Sequence, residues 1–221
     1  MDYTFNFGVV LASWQELARG AFLTVQLSLT AMFFALILGV LGVLGKQWGP
    51  KPVRALVSAY IEIIRNTPFL VQVFFIFFGL PTLGIRLSPY EGALIALSLN
   101  GGAFAIEIIR GGFQAIKAGQ IEAGTALGLS KLQIFRYVII RPAIRSVYPA
   151  LSSQFILLML TSSIASSISA RELTNVASYL ESKYFVSFEI YFTVALIYLF
   201  LSIVLSFLLK GIGRIFFTYP V

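Results

Sequence analysis

The chain has 221 residues, of which 58% are hydrophobic and 11% are charged, and its mean hydropathy is +0.91. Soluble domains carry about 25% charged residues, so this composition indicates a membrane protein. The absence of cysteine and histidine excludes disulfides, thiol chemistry and a Ser-His-Asp triad and removes the commonest metal ligand, so we expect neither a metal site nor a catalytic site on this chain.

Five apolar segments are long enough to cross about 30 Å of hydrocarbon as helices. The first and fourth contain uncharged runs of 25 residues, Ala21 to Gly45 and Ser146 to Ala170. Loops containing glycine, proline or charge separate the segments. We therefore predict an all-α membrane protein with one transmembrane domain over residues 1–221. Its five spans are predicted at about 21–45, 54–80, 91–109, 146–168 and 190–209.

The second predicted span contains an acid and a base. Glu62 and Arg65 lie three residues apart, on one helix face. On a helix that enters near Val53, Arg65 would lie roughly 18 Å along the span, where ionisable groups are costly. Pro68 removes a backbone hydrogen bond and predicts a kink. Two interpretations remain open: a kinked polar stretch that lines a pathway, or an ion pair that stabilises the bundle.

Polar side chains also occur within the third and fourth predicted spans. Asn100 needs a hydrogen-bond partner, which another helix or a substrate would supply. The fourth span carries hydroxyls at Thr161, Ser162 and Ser163. Such hydroxyls either bond to their own helix backbone or line a polar cavity.

The stretch between the third and fourth spans, residues 117–142, is the most polar and basic part of the chain. Gln120 to Leu127 predicts about two helical turns, and Gly128 lies where a left-handed residue ends a helix. Ser130, with Gln133 three positions later, forms a capping-box pattern that begins a second helix.

The second of these helices has an apolar stripe at helical spacing, predicted from Leu132, Phe135 and Ile139. A short, jointed, basic element between membrane spans is typical of a docking element for a soluble partner. An ordinary charged cytoplasmic loop is the alternative interpretation.

The basic residues are distributed unequally between the two sides of the membrane. Loops after the first, third and fifth spans hold eleven of them: Lys46, Lys51, Arg54, Arg110, Lys117, Lys131, Arg136, Arg141, Arg145, Lys210 and Arg214. The other side holds four: Arg19, Arg86, Arg171 and Lys183. The positive-inside rule therefore predicts an outside N-terminus, an inside C-terminus and a cytoplasmic 117–142 segment. The net charge of +7 thus acts as a topology signal and gives no reason to expect a nucleic-acid partner.

Several segments resemble the inner-membrane permeases of ABC importers. Glu122-Ala123-Gly124, followed by Gly128, is similar to the E-A-A-x-x-x-G motif of that family's coupling helix, which contacts the ATPase subunit. Residues 62–72 (EIIRNTPFLVQ) resemble the E-x-x-R-x-T-P-x-L-x-Q segment of the polar amino acid (histidine/glutamine/arginine-type) subfamily. Three further segments resemble the same subfamily, in the same order along the chain: RLSP at 86–89, ALSLN at 96–100 and EIIRGG at 107–112.

The resemblance covers about residues 20–210 and implies the type I ABC importer transmembrane-domain fold with a cytoplasmic coupling helix. It implies an ATPase-coupling site at Glu122, Ala123, Gly124, Gly128 and Leu129. It also implies a substrate pathway, for which the candidate residues are Glu62, Arg65, Thr67, Gln72, Asn100, Thr161, Ser162 and Ser163. Gly124 stands where the family usually has alanine, and Pro142 comes one residue later than the family's proline.

The resemblance predicts a permease subunit of an ATP-driven, binding-protein-dependent amino acid importer in the bacterial inner membrane. The chain has no G-x-x-x-x-G-K-S/T phosphate-binding loop, so we expect ATP and Mg on a partner ATPase subunit and no cofactor here. The other expected partners are a second permease subunit, identical or paralogous, a periplasmic or extracellular binding protein and the amino acid. The alternatives are an ion-coupled secondary transporter or channel subunit, which the carboxylates Glu62 and Glu107 would serve, and a structural membrane subunit.

Overall fold

The computed structural model describes residues 5–216, and within that range the chain is helical, as predicted. Ten α-helices follow one another, and π-helical and 3₁₀ turns extend three of them. Their bounds are α1 Gly8–Ala12, α2 Trp14–Trp48, α3 Lys51–Arg65, α4 Phe69–Phe74, α5 Pro89–Gln114, α6 Ala118–Ala126, α7 Lys131–Gln133, α8 Arg141–Thr161, α9 Leu173–Tyr184 and α10 Ser187–Phe216.

Four helical stretches in the described part of the chain are long and apolar enough to cross a membrane unaided. These are α2, α5, α10 and the continuous stretch Lys131–Ile168, which contains α7 and α8. The predicted second span differs from a simple kinked helix. It is divided into α3 and the stretch Phe69–Leu83, which meet at an angle of 114°.

The packing of α2 against α5 shows that the divided segment completes a fifth crossing. A Cβ on Gly101 would lie 2.9 Å from the Cβ of Ala35, and a Cβ on Gly42 would overlap Ile106. Residue numbers therefore increase together along the contact, so α2 and α5 run in the same direction. The chain between them must return along the length of the bundle, and α3 together with the stretch Phe69–Leu83 makes that return.

The remaining helices alternate in direction. A Cβ on Gly112, near the end of α5, would overlap Val147, near the start of α8, so the chain turns back there. The Tyr148 hydroxyl donates to the Leu209 carbonyl oxygen (2.6 Å), which places the last turns of α10 beside the start of α8. One end of the bundle thus carries α6, and the opposite end carries α1 and α9. We call these the α6 end and the α9 end.

Helix α10 covers little of its apolar surface within this chain. Its buried residues are Glu189, Ile190 and Val194, all near its start. Large apolar side chains are exposed along the rest of the helix: Leu196, Leu199, Phe200, Ile203, Val204, Phe207, Leu208, Ile212, Ile215 and Phe216. An exposed apolar surface of this extent is typical of contact with lipid or with another membrane subunit.

Candidate functional site

The joint between α6 and α7 has the conformation that its sequence predicts. Gly128 adopts a φ of +74°, in the left-handed region. The Leu129 N–H donates to the Gly124 carbonyl (3.1 Å) and the Gly128 N–H to that of Thr125 (3.0 Å), which is the Schellman pattern. A Cβ on Gly128 would meet nothing within 4 Å, so the backbone conformation, and not space, requires glycine here.

The helix after the joint begins with the predicted capping box. The Gln133 N–H donates to the Ser130 hydroxyl (3.4 Å), and the Ser130 N–H donates to the Gln133 side-chain oxygen (2.8 Å). A π-helical stretch, Ile134–Ile140, then leads directly into α8. Pro142 therefore lies within a continuous helical stretch that reaches Ile168, and its displacement does not break the chain's entry into the fourth span.

The predicted apolar stripe of this second helix is not the face that the bundle buries, because it is exposed at Leu132. That side chain is 75% exposed, whereas Ile134 is buried. The reason is the position of α6. A Cβ on the buried Gly124 would lie 3.3 Å from Cγ1 of Ile134 and 3.5 Å from Cγ2 of Val138, so α6 packs over these two side chains.

The opposite side of this helix pair forms a surface that no other part of residues 5–216 covers. Leu127 is 80% exposed, and Ile121, Glu122, Ala123 and Leu132 are also exposed. The Glu122 carboxylate makes no hydrogen bond or ion pair within the described range. We call these five residues the α6 surface. It combines apolar contact area with an unpaired negative charge.

The divided second span is held in shape by Gln72. Its side-chain amide donates to the carbonyl oxygens of Ile64 (2.7 Å) and Thr67 (3.0 Å) and to the Thr67 hydroxyl (2.9 Å). The Asn100 amide on α5 in turn donates to the Gln72 side-chain oxygen (3.1 Å). Because α3 ends before Pro68, these carbonyls have no helical donor, and the side chain replaces it.

Glu62 and Arg65 do not pair with each other, so the ion-pair interpretation, one of the two that the sequence left open, is wrong for these two residues. Glu62 accepts a hydrogen bond from the Asn66 side chain (3.0 Å), where α3 ends. Arg65 instead reaches across to Glu107 on α5 (3.7 Å) and lies over the Phe104 ring. It is therefore level with the last turns of α5, near the α6 end, whereas a helix that enters the membrane near Val53 would have placed it roughly 18 Å along the span.

Glu107 joins three helices through its carboxylate. It accepts from Arg110 through Nε (3.1 Å) and an Nη nitrogen (2.5 Å), from Lys46 of α2 (3.4 Å), and it pairs with Arg65 of α3. We call these four residues the Glu107 cluster. The repeated Glu-Ile-Ile-Arg tetrad at 62–65 and 107–110 was the sequence signal, but spacing alone did not show that the first arginine pairs with the second glutamate.

Two of the three hydroxyls predicted for the fourth span bond to their own backbone. Ser162 donates to the Met159 carbonyl (2.6 Å) and Ser163 to that of Leu160 (2.8 Å). Both bonds reach back three residues because the chain forms a 3₁₀ helix, Ser162–Ile168, at this point. Thr161 is half-buried, and its side-chain hydroxyl makes no hydrogen bond within residues 5–216.

Glu172, a buried carboxylate that no sequence pattern indicated, lies directly before α9. It accepts hydrogen bonds from the N–H groups of Thr174 (2.8 Å) and Asn175 (2.7 Å) and from the Tyr198 hydroxyl of α10 (2.7 Å). Burial raises the pKa of Glu172 above its ordinary value, although these hydrogen bonds oppose the rise. Glutamate is not among the preferred N-cap residues, so the sequence carried no strong signal for this role.

An all-helical bundle with five crossings and an exposed helix pair at one end defines a polytopic membrane protein. Its family follows from comparison with known proteins. Residues 31–216 match the family of binding-protein-dependent transport system inner membrane components, and the chain belongs to that family of ABC transport permeases.

Named relatives cover most of the chain. It is 34% identical to the glutamine transport system permease protein GlnP of Escherichia coli strain K12 over 212 residues, which are 95% of this chain and 97% of that protein. It is 38% identical to the L-cystine transport system permease protein TcyB of Bacillus subtilis strain 168 over 160 residues, 72% of this chain and 68% of that one.

Solved structures show the same architecture. A chain in the crystal structure of an amino acid ABC transporter with histidines superposes with a TM-score of 0.89 at 34% identity, covering 96% of this chain and 99% of that chain. The inward-facing MetNI methionine ABC transporter superposes with a TM-score of 0.73 at 22% identity, which shows the fold alone. The predicted family and the type I ABC importer fold are confirmed.

We predict that Gln72→Leu destabilises the bend between α3 and α4. The substitution removes the donor to the half-buried Ile64 carbonyl and to the carbonyl of the exposed Thr67. A fully buried carbonyl without a partner costs about 1–3 kcal/mol, so we expect a loss near the lower end of that range. Thermal unfolding of the purified protein in detergent measures the loss. The matched control is Gln15→Leu on the exposed start of α2, which should change the midpoint little. Equal midpoints for the two variants would contradict the role assigned to Gln72.

We predict that Gly128→Ala and Gly124→Ala differ in effect although both add one methyl group. Alanine at 128 must adopt the left-handed conformation, which costs about 1–2 kcal/mol, whereas alanine at 124 requires a shift of only a few tenths of an ångström and favours helix. The expected order of proteolytic sensitivity at the joint is Gly128→Ala above Gly124→Ala, with Gly128→Asn between Gly128→Ala and the natural chain. The reverse order would show that the space around residue 124, and not the left-handed backbone at residue 128, decides which substitution the joint tolerates.

Proposed function

We propose that this chain is the membrane-spanning permease subunit of an ATP-driven, binding-protein-dependent amino acid importer. It would form half of the translocation pathway and bind an ATPase subunit through α6. The observation that carries the proposal is the α6 surface, which presents exposed Leu127 and unpaired Glu122 on a helix fixed to the fourth span. The relatives named for glutamine and cystine transport support an amino acid as the substrate.

The contacts of α6 provide a route by which ATPase movement would reach the membrane. Helix α6 packs through Gly124 on Ile134 and Val138, which belong to the stretch Lys131–Ile168. That stretch is helical without a break, so displacement of α6 would tilt the fourth span as a unit. Its contact with α5 at Gly112 and Val147 would pass the movement on. Alternating access by rocking of the spans is the mechanism that this connection favours.

The substrate pathway is proposed to run beside the bend of the second span. Glu62, Arg65 and Thr67 lie exposed near that bend. In the proposal, Gln72 and Asn100 fix the shape of the bend rather than bind substrate, since their amides already bond to each other. Thr161 is the hydroxyl best placed for substrate contact, because Ser162 and Ser163 already donate to backbone carbonyls.

The proposed orientation places the α6 end in the cytoplasm and the N-terminal end outside. The excess of basic residues in the loops at the α6 end supports it. Two ATPase subunits would bind ATP and Mg, a second permease subunit, identical or paralogous, would complete the pathway, and an external binding protein would deliver the amino acid. The exposed apolar faces of the bundle provide surface for the second subunit and for lipid.

Glu122→Lys tests the proposed coupling. Within the complex co-purified with its ATPase and reconstituted in vesicles, we expect the substitution to reduce ATPase stimulation by loaded binding protein at least tenfold, because it reverses the one unpaired charge on the α6 surface. Membrane insertion, measured by extraction yield, should not change. The matched control is Glu16→Lys, an exposed carboxylate at the opposite end of the bundle.

Two outcomes would contradict the proposal. Normal stimulation in Glu122→Lys would show that α6 does not couple to the ATPase. Uptake by the purified chain alone, driven by an ion gradient, would instead identify a secondary transporter, for which Glu62 and Glu107 are the available carboxylates.

A further inference from the structure

A cavity of about 320 Å³ lies at the α6 end of the bundle, between the ends of α2 and α5. Its walls are Val43, Lys46 and Gln47 from α2 and Arg110, Phe113 and Gln114 from α5. Four of these six side chains carry N–H donors, and two are cationic. The volume is at the lower end of the range of small-ligand sites.

The two cations that line this cavity are held in position by Glu107 but keep unused hydrogen-bond donors. Arg110 uses two of its five N–H groups on Glu107, and Lys46 uses one of its three. The side-chain amides of Gln47 and Gln114 make no hydrogen bond to any residue in 5–216. The Glu107 cluster contains three cations and one carboxylate, so its net charge is positive. The site therefore offers free donors and positive charge to an anion.

The surface beside the cavity is apolar along one face of α2. Val40, Leu44 and Gln47 follow one another at helical spacing, and Val40 and Leu44 are 48% and 42% exposed. Trp48 is 62% exposed at the end of the same helix, and tryptophan is enriched at membrane interfaces. A hydrocarbon chain would follow this face away from the cavity, whereas a free anion would make no use of it.

We propose that this cavity binds the phosphate headgroup of an anionic phospholipid, with an acyl chain lying along Val40 and Leu44. Lys46 and Arg110 contact the phosphate, Gln47 and Gln114 donate to its oxygens or to the glycerol, and Glu107 holds the two cations in position. Basic cavities between membrane helices are suited to such headgroups. Assignment to the cytoplasmic leaflet rests on the proposed orientation, but lipid binding itself does not depend on the transport function.

The test measures phospholipid retained by the detergent-purified transporter complex. The complex is equilibrated with equal amounts of phosphatidylglycerol and phosphatidylethanolamine, washed, and analysed by mass spectrometry. We expect selective retention of phosphatidylglycerol and at least a fivefold loss in the double variant Gln47→Glu/Gln114→Glu, which adds negative charge without disturbing any hydrogen bond among the described residues. Gln15→Glu, at the other end of α2, is the matched control and should retain the lipid.

Three results would overturn the proposal. Equal retention of the two lipids would show that charge does not select the ligand, and unchanged retention in the double variant would place the lipid elsewhere. Displacement of phosphatidylglycerol by inorganic phosphate would identify a soluble anion as the occupant. Because the readout is bound lipid, it is independent of whether the Glu122 experiment supports the transport function.

Discussion

The close approach of α2 and α5 is the contact on which the rest of the bundle depends. Gly42 accommodates Ile106, and Gly101 accommodates Ala35, so the two helices touch at backbone distance and run in the same direction. Parallel neighbours require a return crossing between them. The divided segment, α3 and the stretch Phe69–Leu83, makes that crossing. As a result, α5 ends at the same end of the bundle as α2, and α6, which follows α5, lies at that end.

The return crossing is made by an interrupted helix, and its interruption is stabilised by side chains. Gln72 supplies the donors that the backbone loses at Pro68, and Asn100 connects Gln72 to α5. The end of α3 is simultaneously fixed by Arg65 on Glu107. An interrupted helix whose freed backbone groups are satisfied by side chains is tolerated within a membrane protein, because no polar group is then left in hydrocarbon. Stabilisation of the interrupted helix therefore accounts for the polar residues of this segment, and the proposed substrate pathway would run beside them.

Features encoded over a few neighbouring residues were predictable from the sequence. The left-handed Gly128 and the Ser130–Gln133 capping box each depend on residues within about five positions, and the structure has both. Contacts between distant segments were not predictable. The i,i+3 spacing allowed a Glu62–Arg65 pair, but α3 ends at Arg65, before the 114° bend, and that side chain pairs with Glu107 of α5. Leu132 matched an apolar stripe, yet the buried position is Ile134, because only the packing of α6 decides which face is covered.

The most direct test that the ATPase subunit binds at α6 is crosslinking from α6 in the assembled complex. The natural chain has no cysteine, so Leu127→Cys introduces a unique thiol on the α6 surface. With a maleimide–succinimide reagent in vesicles, we expect this thiol to link to a lysine of the ATPase subunit. A thiol at Phe185→Cys, 84% exposed at the α9 end, should not link to it. Linkage of the ATPase to position 185, or to neither position, would contradict binding of the ATPase subunit at the α6 surface.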